Sequence, residues 1–435
     1  MFNTKYIFLL LVILSACTKP DTPSAGSLIN TSHLEHLYQE IDINDNIRLG
    51  TIWIYSNAPD YQLVTDDDEG FTCVDDVSRA LVFYCRQYKR NPVQENLDKI
   101  ESLTRFIMYM KADNGYYYNF MFPDNGINTV HLNSRPTSGF WSWRAFWALT
   151  ELNLLDSPEF NDLKNQIQPF IGHLLNNIEQ LFSSESDTVV FEGIQIPSVI
   201  ADHGADQVAL IMISLTNYYQ KNNSPAVKEL ILKLGYCLMS VQYGDKDSFP
   251  YFAFMSWKNI WHAWGNMEAY ALLYSGRILK NDQFIVSGLN EVKHFYSYCI
   301  EQCFIHEFRI VRENDSLLIK DLHQFPQISY GITPMIFASL EAYHITDDET
   351  YAIKAGNLAT WYFGNNPASQ VMYNHSTGRT FDGIDSSTKT NYNSGAESTI
   401  ETLLSIQAIE ENTIAKQVVM KYFSKMAPNL CINRY

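Results

Sequence analysis

Five carboxylates in this chain stand where a helical run is about to begin: Asp75, Asp76, Asp202, Asp206 and Glu397. Paired carboxyl groups of unequal pKa do acid–base chemistry, one giving a proton while the other takes one up or attacks. Asp202 and Asp206 are four apart and flank His203. On one helix face they would repel, which raises the pKa of one and suits it to proton donation. The plainer alternative is that Asp202 only caps the helix. Asp75 and Asp76 are adjacent and diverge by about 100° on a helix, so one is expected to cap and the other to face inward. Asp76 and Arg79 lie three apart on one face, and the arginine is expected to restrain the carboxylate. Ser394 and Glu397 have the S-x-x-E spacing of a capping box. The other reading of Glu397 is a carboxylate held open to a ligand by its small neighbours Gly395 and Ala396. Asp76, Asp202, Asp206 and Glu397 are therefore the catalytic candidates.

Around them lie groups suited to hold a ligand. Flat apolar rings stack on sugar faces, and Trp141, Trp143 and Trp261 are the platform candidates; Trp147 continues a helix and reads as core. Asp75, Arg79, Arg144, His203, His262, Asn266, Tyr330 and Asn391 offer partners for hydroxyls or carboxylates. Arg379 and Asp382 fall in a long late connection, residues 365–393, and are expected to close over a ligand. Aromatic residues make up 14% of the chain, in excess of what packing requires.

Apart from Arg379 and Asp382, these residues belong to six similar segments. They begin at Gly70 (GFTCVDDVSRALVFY), Thr137 (TSGFWSWRAFWAL), Ala201 (ADHGADQVALIMI), Lys258 (KNIWHAWGNMEAYALL), Gln327 (QISYGITPMIFASL) and Asn391 (NYNSGAESTIETLL), 57 to 69 residues apart. Each joins a polar or aromatic cluster to a helical run, and a second helical pattern follows each, near Val93, Pro158, Pro225, Asp282, Asp347 and Glu411. A period of this length marks repeated supersecondary units. Six helical hairpins predict an all-α fold, an (α/α)6 toroid with long mouth loops. Its six inner helices would run parallel, with their positive N-terminal ends gathered at one pole. An open α-solenoid is the alternative, but it does not require polar chemistry at the same helix end six times. Residues 114–135 are expected to form a hairpin loop over the mouth, and residues 183–199 a short β excursion.

The first residues read as an address. Met1–Ala16 has an early Lys5 and an apolar run too short to span a bilayer, as in a secretory signal. Leu14-Ser15-Ala16-Cys17 resembles a bacterial lipobox, which implies lipidation of Cys17 and a membrane-anchored exported protein, periplasmic or on the cell surface. Residues 17–30 read as lipidated cysteine and tether, and 31–435 as one domain. The other cysteines are scattered; Cys299 and Cys303 are expected to share a helix face. No metal site is expected from their spacing. With 48 acidic against 31 basic residues and a formal charge of −17, no nucleic-acid partner is expected. The chain has no dinucleotide or phosphate-binding glycine loop and no H-E-x-x-H, so no cofactor is expected.

As a whole the pattern resembles the six-hairpin, (α/α)6-toroid carbohydrate-active enzymes. Two segments, Gly70–Leu81 and Trp361–Leu404, are similar to uncharacterised bacterial members of that superfamily, lipoproteins among them. The resemblance implies a glycan substrate in the mouth of the toroid and a glycoside hydrolase-like activity using two carboxyl groups. A polysaccharide lyase, with Tyr330, His203, Arg144 and Arg79 as its working groups, and a non-catalytic glycan-binding lipoprotein are the alternatives.

Overall fold

The computed structural model describes residues 27–44, 47–183 and 187–426. The signal sequence, Cys17 and Cys431 lie outside the described residues. A short α1 (Ser32–Leu37) precedes the first hairpin, α2 (Val74–Arg90) with α3 (Gln94–Tyr109). The second hairpin is α4 (Phe140–Asn153) with α5 (Asn161–Leu181). The third has a stub, α6 (Ser198–His203), before α7 (Ala205–Asn222) and α8 (Pro225–Met239). The fourth pairs α9 (Glu268–Leu279) with α10 (Asp282–Asn290), which runs through a π turn at Glu291–Phe295 into α11 (Tyr296–Glu301). The fifth is α12 (Ser329–Thr346) with α13 (Glu349–Ala359), and the sixth α14 (Ala396–Glu411) with α15 (Thr413–Met426).

Helices α2, α4, α7, α9, α12 and α14 pack side by side in that order, and α14 returns onto α2. The ring is therefore closed, and the fold is the (α/α)6 toroid. The inner helices are buried nearly all round: α12 hides every residue from Ser329 to Ser339. A helix without a wet face belongs in the interior. Outer α3 instead buries one stripe that includes Ile100, Leu103, Phe106 and Ile107. Small hydroxyl side chains let the inner helices approach. Ser329 Oγ meets Thr402 Oγ1 at 3.1 Å, Ser405 Oγ donates to Thr333 Oγ1 at 3.0 Å, and Thr216 Oγ1 meets Ser275 Oγ at 2.7 Å. Outer helices start on conventional caps: Ser224, Asn281 and Asp348 each accept a first-turn backbone N–H.

The connections carry short antiparallel sheets. The predicted β excursion is a hairpin of Thr188–Phe191 with Ile194–Pro197. The 114–135 connection is stitched beside α2, with Phe120–Met121 paired to Thr72–Cys73. Several sheets were not expected from the sequence, the longest being the hairpin of Tyr38–Asn44 with Ile47–Ile52 and a three-stranded sheet of Ile260–His262, Glu307–Glu313 and Ser316–His323. Residues Ser27–Asn30, expected to be tether, are docked instead. Leu28 is fully buried, Ser27 Oγ donates to Glu410 Oε2 at 3.0 Å, and Tyr373 Oη donates to Leu28 O at 3.0 Å. Cys299 and Cys303 do not share a helix face: α11 ends at Glu301, so Cys299 is buried while Cys303 lies beyond the helix, exposed, with φ +53°. Among the described residues no helix is long and apolar enough to cross a membrane.

Candidate active site

The six inner helix starts do meet at one pole, and Arg79 is its centre. Its side chain is 2% exposed and faces four carboxyl groups. Nη1 lies 2.7 Å from Asp76 Oδ1 and 3.8 Å from Asp75 Oδ2; Nη2 lies 2.7 Å from Glu397 Oε2; Nε lies 3.0 Å from Glu401 Oε1. The last is an ion contact without hydrogen-bond alignment. Asp75 also meets Arg144 Nε at 2.6 Å, and Arg144 Nη2 donates to Tyr330 Oη at 2.6 Å. The Tyr330 ring lies under both guanidiniums, 5.1 Å from that of Arg79 and 4.7 Å from that of Arg144.

Local structure fixes these positions. Cys73, not an aspartate, is the N-cap of α2: its sulfur accepts from Asp76 N, while Asn119 Oδ1 accepts from Asp75 N at 3.1 Å. Both aspartates are thereby free to turn toward Arg79, which stands three residues from one and four from the other. The expected division into one cap and one inward group does not hold. Nor does the Ser394–Glu397 capping box form. Gly395 is the N-cap of α14, Ser394 Oγ accepts from Thr380 N, and Asp382 caps the helix through Gly395 N at 2.7 Å and Ser398 Oγ at 2.6 Å. Glu397 is left to reach Arg79, with 43% of its side chain exposed. Asp76, Asp382 and Glu397 line one cavity of about 140 Å³ together with Tyr55 and Ser329.

Burial pushes the Asp76 carboxyl up to about 6, against the opposing pull of Arg79. Burial likewise raises Glu401, with Arg79 and Arg144 opposing. Burial disfavours the charged form of Arg79, but the surrounding carboxylates prevail and hold it protonated. Four carboxyl groups against two guanidiniums leave this pole acidic.

A second group adjoins it. Asp206 opens α7, and its Oδ2 lies 3.3 Å from His262 Nε2; both side chains are buried. His262 Nδ1 is 2.6 Å from Trp264 O, and a carbonyl can only accept, so Nδ1 carries hydrogen. Nε2 faces the Asp206 carboxyl, whose pKa burial raises while His262 pulls it down. The imidazole stacks on Trp264 at 4.1 Å and 12°.

Other expected site residues lie elsewhere. Asp202 is exposed on α6 and shares no face with Asp206, because Gly204, at φ +81°, breaks the chain between α6 and α7. His203 stays on the stub, edge-on to Phe182. Trp143 and Trp261 are not platforms. Trp143 is 0% exposed, and Trp261, at 1%, is packed between Phe295 and Phe308. Trp141 is half-buried and donates to Tyr117 O at 2.7 Å. Asn266 is buried with both amide atoms unpartnered. Arg379 lies over the Tyr61 ring at 4.0 Å, and Asn391 is exposed, accepting from Asn393 N. Asp382 acts in the α14 cap rather than as a moving flap.

Two site residues were missed from the sequence. Glu401 stands one turn beyond Glu397, and a carboxylate inside an otherwise apolar inner run was the available signal. Trp264 sat among the indoles of its segment and was passed over for Trp261. Among the described residues no group of three or more His, Cys, Asp or Glu side chains is placed to hold a metal.

No family model matches the chain, and no curated protein matches it in sequence. Solved structures match it in fold. A sugar epimerase from a ruminal bacterium is 13% identical, with 87% of this chain and 95% of that one covered at a TM-score of 0.61. Cellobiose 2-epimerase from Bacillus thermoamylovorans B4167 is 12% identical over 87% and 95%, also at 0.61. A D-mannose isomerase is 12% identical over 84% and 91%, at 0.56. The likeness is one of fold: the chain has the six-hairpin toroid found in carbohydrate-active enzymes.

Proposed function

We propose that this protein is an enzyme that hydrolyses a glycosidic bond in a neutral oligo- or polysaccharide at the pole centred on Arg79. The observation that carries the reading is one guanidinium holding two carboxyl groups, Asp76 and Glu397, at 2.7 Å each on a shared cavity. Their environments differ. Asp76 is buried and keeps a proton up to about pH 6, which suits an acid that protonates the leaving glycosidic oxygen. Glu397 reaches solvent, which suits the group that takes a proton from water or attacks the anomeric carbon. The departing alcohol takes the proton of Asp76, and water supplies the hydroxyl of the new hemiacetal.

The acidic balance of this pole argues against a lyase, which must neutralise a uronate carboxylate. Arg79 and Arg144 already face Asp75, Asp76, Glu397 and Glu401. A second reading, proton transfer at a carbon beside a sugar carbonyl, is favoured by the Asp206–His262 pair and by the sugar epimerases and isomerase that share the fold.

The leader and Cys17 support action outside the cytoplasm from a lipid anchor. The test is incubation with a panel of neutral and acidic glycans. New reducing ends without unsaturated-uronate absorbance support hydrolysis. Absorbance in that band supports elimination, and isomer interconversion without new reducing ends supports the second reading. Binding without any product, unchanged by Asp76→Asn or Glu397→Gln, leaves only a glycan-binding role.

A further inference from the structure

A second cavity lies at the other pole. It measures about 690 Å³ and opens among the C-terminal ends of α2, α4, α9, α12 and α14. Ligand pockets commonly fall between about 300 and 1,000 Å³. One wall is aromatic. Tyr270 and Tyr274, four apart on α9, stack in parallel with ring centres 5.7 Å apart and planes 7° apart, and Phe337 tilts against Tyr270 at 5.4 Å.

Unused hydrogen-bonding groups surround that wall. Arg86 engages Glu151 and Arg277 engages Glu341, each through Nε, and among the described residues their terminal nitrogens have no hydrogen bond. The Tyr270 hydroxyl makes none either. Gln407 is 1% exposed and lines the cavity, and its Nε2 is bonded to Gln87 Oε1 at 3.1 Å while its Oε1 is buried without a partner. An unpartnered buried amide oxygen calls for a donor from outside the chain.

The charge balance states what kind of ligand fits. Three cations, Arg86, Lys89 and Arg277, face four anions, Glu151, Glu341, Asp347 and Glu411. The negative ends of the inner helix dipoles also gather at this pole. A bound anion is thus disfavoured, and no cation is left uncompensated. Donors and acceptors alternating beside a flat aromatic wall match a neutral ring bearing hydroxyl groups. Nor is this pole built for reaction. Burial raises Glu151, but Arg86 and Lys89 prevail and hold it below the ordinary carboxyl range, the reverse of Asp76.

We propose that this cavity is a second, non-catalytic binding site for a neutral saccharide, on the Tyr270–Tyr274 wall with Arg86, Arg277 and Gln407 as its polar partners. The proposal does not rest on the reaction assigned to the Arg79 pole.

The test is calorimetric titration, with saturation-transfer NMR, of the full chain carrying Cys17→Ser. Cellobiose, mannobiose and maltose are the probes, and inorganic phosphate is the anionic control. At least one disaccharide is expected to bind. Tyr270→Ala is expected to weaken that binding at least about tenfold. Ala408→Tyr, which fills the cavity from its partly exposed rim, gives the same loss without removing a buried ring. Glu397→Gln leaves this isotherm unchanged even where it abolishes turnover, so the two sites fail separately. Binding of none of the three sugars, preferential binding of phosphate, or sugar binding lost in Glu397→Gln but untouched by Tyr270→Ala and Ala408→Tyr overturns the proposal.

Discussion

Arg79 and Glu397 are 318 residues apart in sequence and meet at 2.7 Å. Their contact joins the first inner helix to the last. One of the bonds that close the toroid, beside Gln407 with Gln87 and Arg90 with Glu410, therefore also places a carboxylate in the candidate site.

Removing that guanidinium takes the cation from Asp76, Glu397 and Glu401, while Asp75 keeps Arg144. Arg79→Met is expected to destabilise the fold by about 3–5 kcal/mol, the range for breaking a buried ion pair from one side. Arg79→Lys keeps the charge but is a single point with no fork, and cannot serve Asp76, Glu397 and Glu401 together. It should recover only part of the loss in urea unfolding at pH 7. Equal stability of Arg79→Met and the parent would mean that the network does not hold the ring.

Asp76 sets a pH prediction for activity. Its acid form is the working form, and it is lost as pH rises through about 6. The kcat/KM profile should fall about tenfold per pH unit above that point. Asp76→Asn should lower kcat by about two to four orders of magnitude and remove the descending limb from what remains. A limb unchanged in Asp76→Asn would assign the proton to another group, with Asp206 the next to replace.

The sequence carries the ring because six polar clusters at a 57–69-residue spacing have no other economical arrangement. It does not carry facing. Helix α4 is buried nearly all round, so no period could separate the half-buried Trp141 from the core Trp143. Asp202 and Asp206 were joined because four residues suggest one helix turn. Gly204 between them was the sign of a break, and its positive φ is what the break requires. The hairpin of Glu307–Glu313 with Ser316–His323 was legible in principle: Asn314 and Asp315, both at positive φ, are the two-residue turn such a hairpin favours. Contacts such as Arg79 with Glu401 depend on closure of the ring and have no local signature.

A buried acid away from the Arg79 pole gives a stability prediction. Glu291 is 2% exposed, its Oε1 accepts from Phe254 N at 2.8 Å, and burial pushes its carboxyl up to about 8. In the unfolded chain a Glu titrates near its ordinary value of about 4.3. The native state thus holds this proton more tightly. The resulting stabilisation is complete below the unfolded value and disappears as pH rises through about 8. Glu291→Gln keeps an acceptor for Phe254 and has no proton to lose. It should flatten the stability profile between pH 5 and 8 and raise stability at pH 8.5 by on the order of 3 kcal/mol. Neighbouring Glu268, raised by burial and then by Glu291, gains as well. Parallel profiles for parent and variant in denaturant unfolding would mean that Glu291 is not buried as a neutral acid.

Gly204 tests whether the Asp206–His262 pair matters to function. Its φ of +81° is one that side chains rarely adopt, and a Cβ there would stand 2.3 Å from Asp206 Oδ1. Gly204→Ala must therefore move the carboxylate that faces His262 Nε2, besides straining the backbone by about 1–3 kcal/mol. Hydrolysis at Asp76 and Glu397 uses neither member of the pair, so its turnover per folded molecule should survive while the melting temperature drops. Isomerisation through Asp206 and His262 should be lost outright. Measuring both activities on this one variant, normalised to folded protein, separates the two readings. A variant that keeps isomerase activity and loses hydrolysis would reverse the assignment made here.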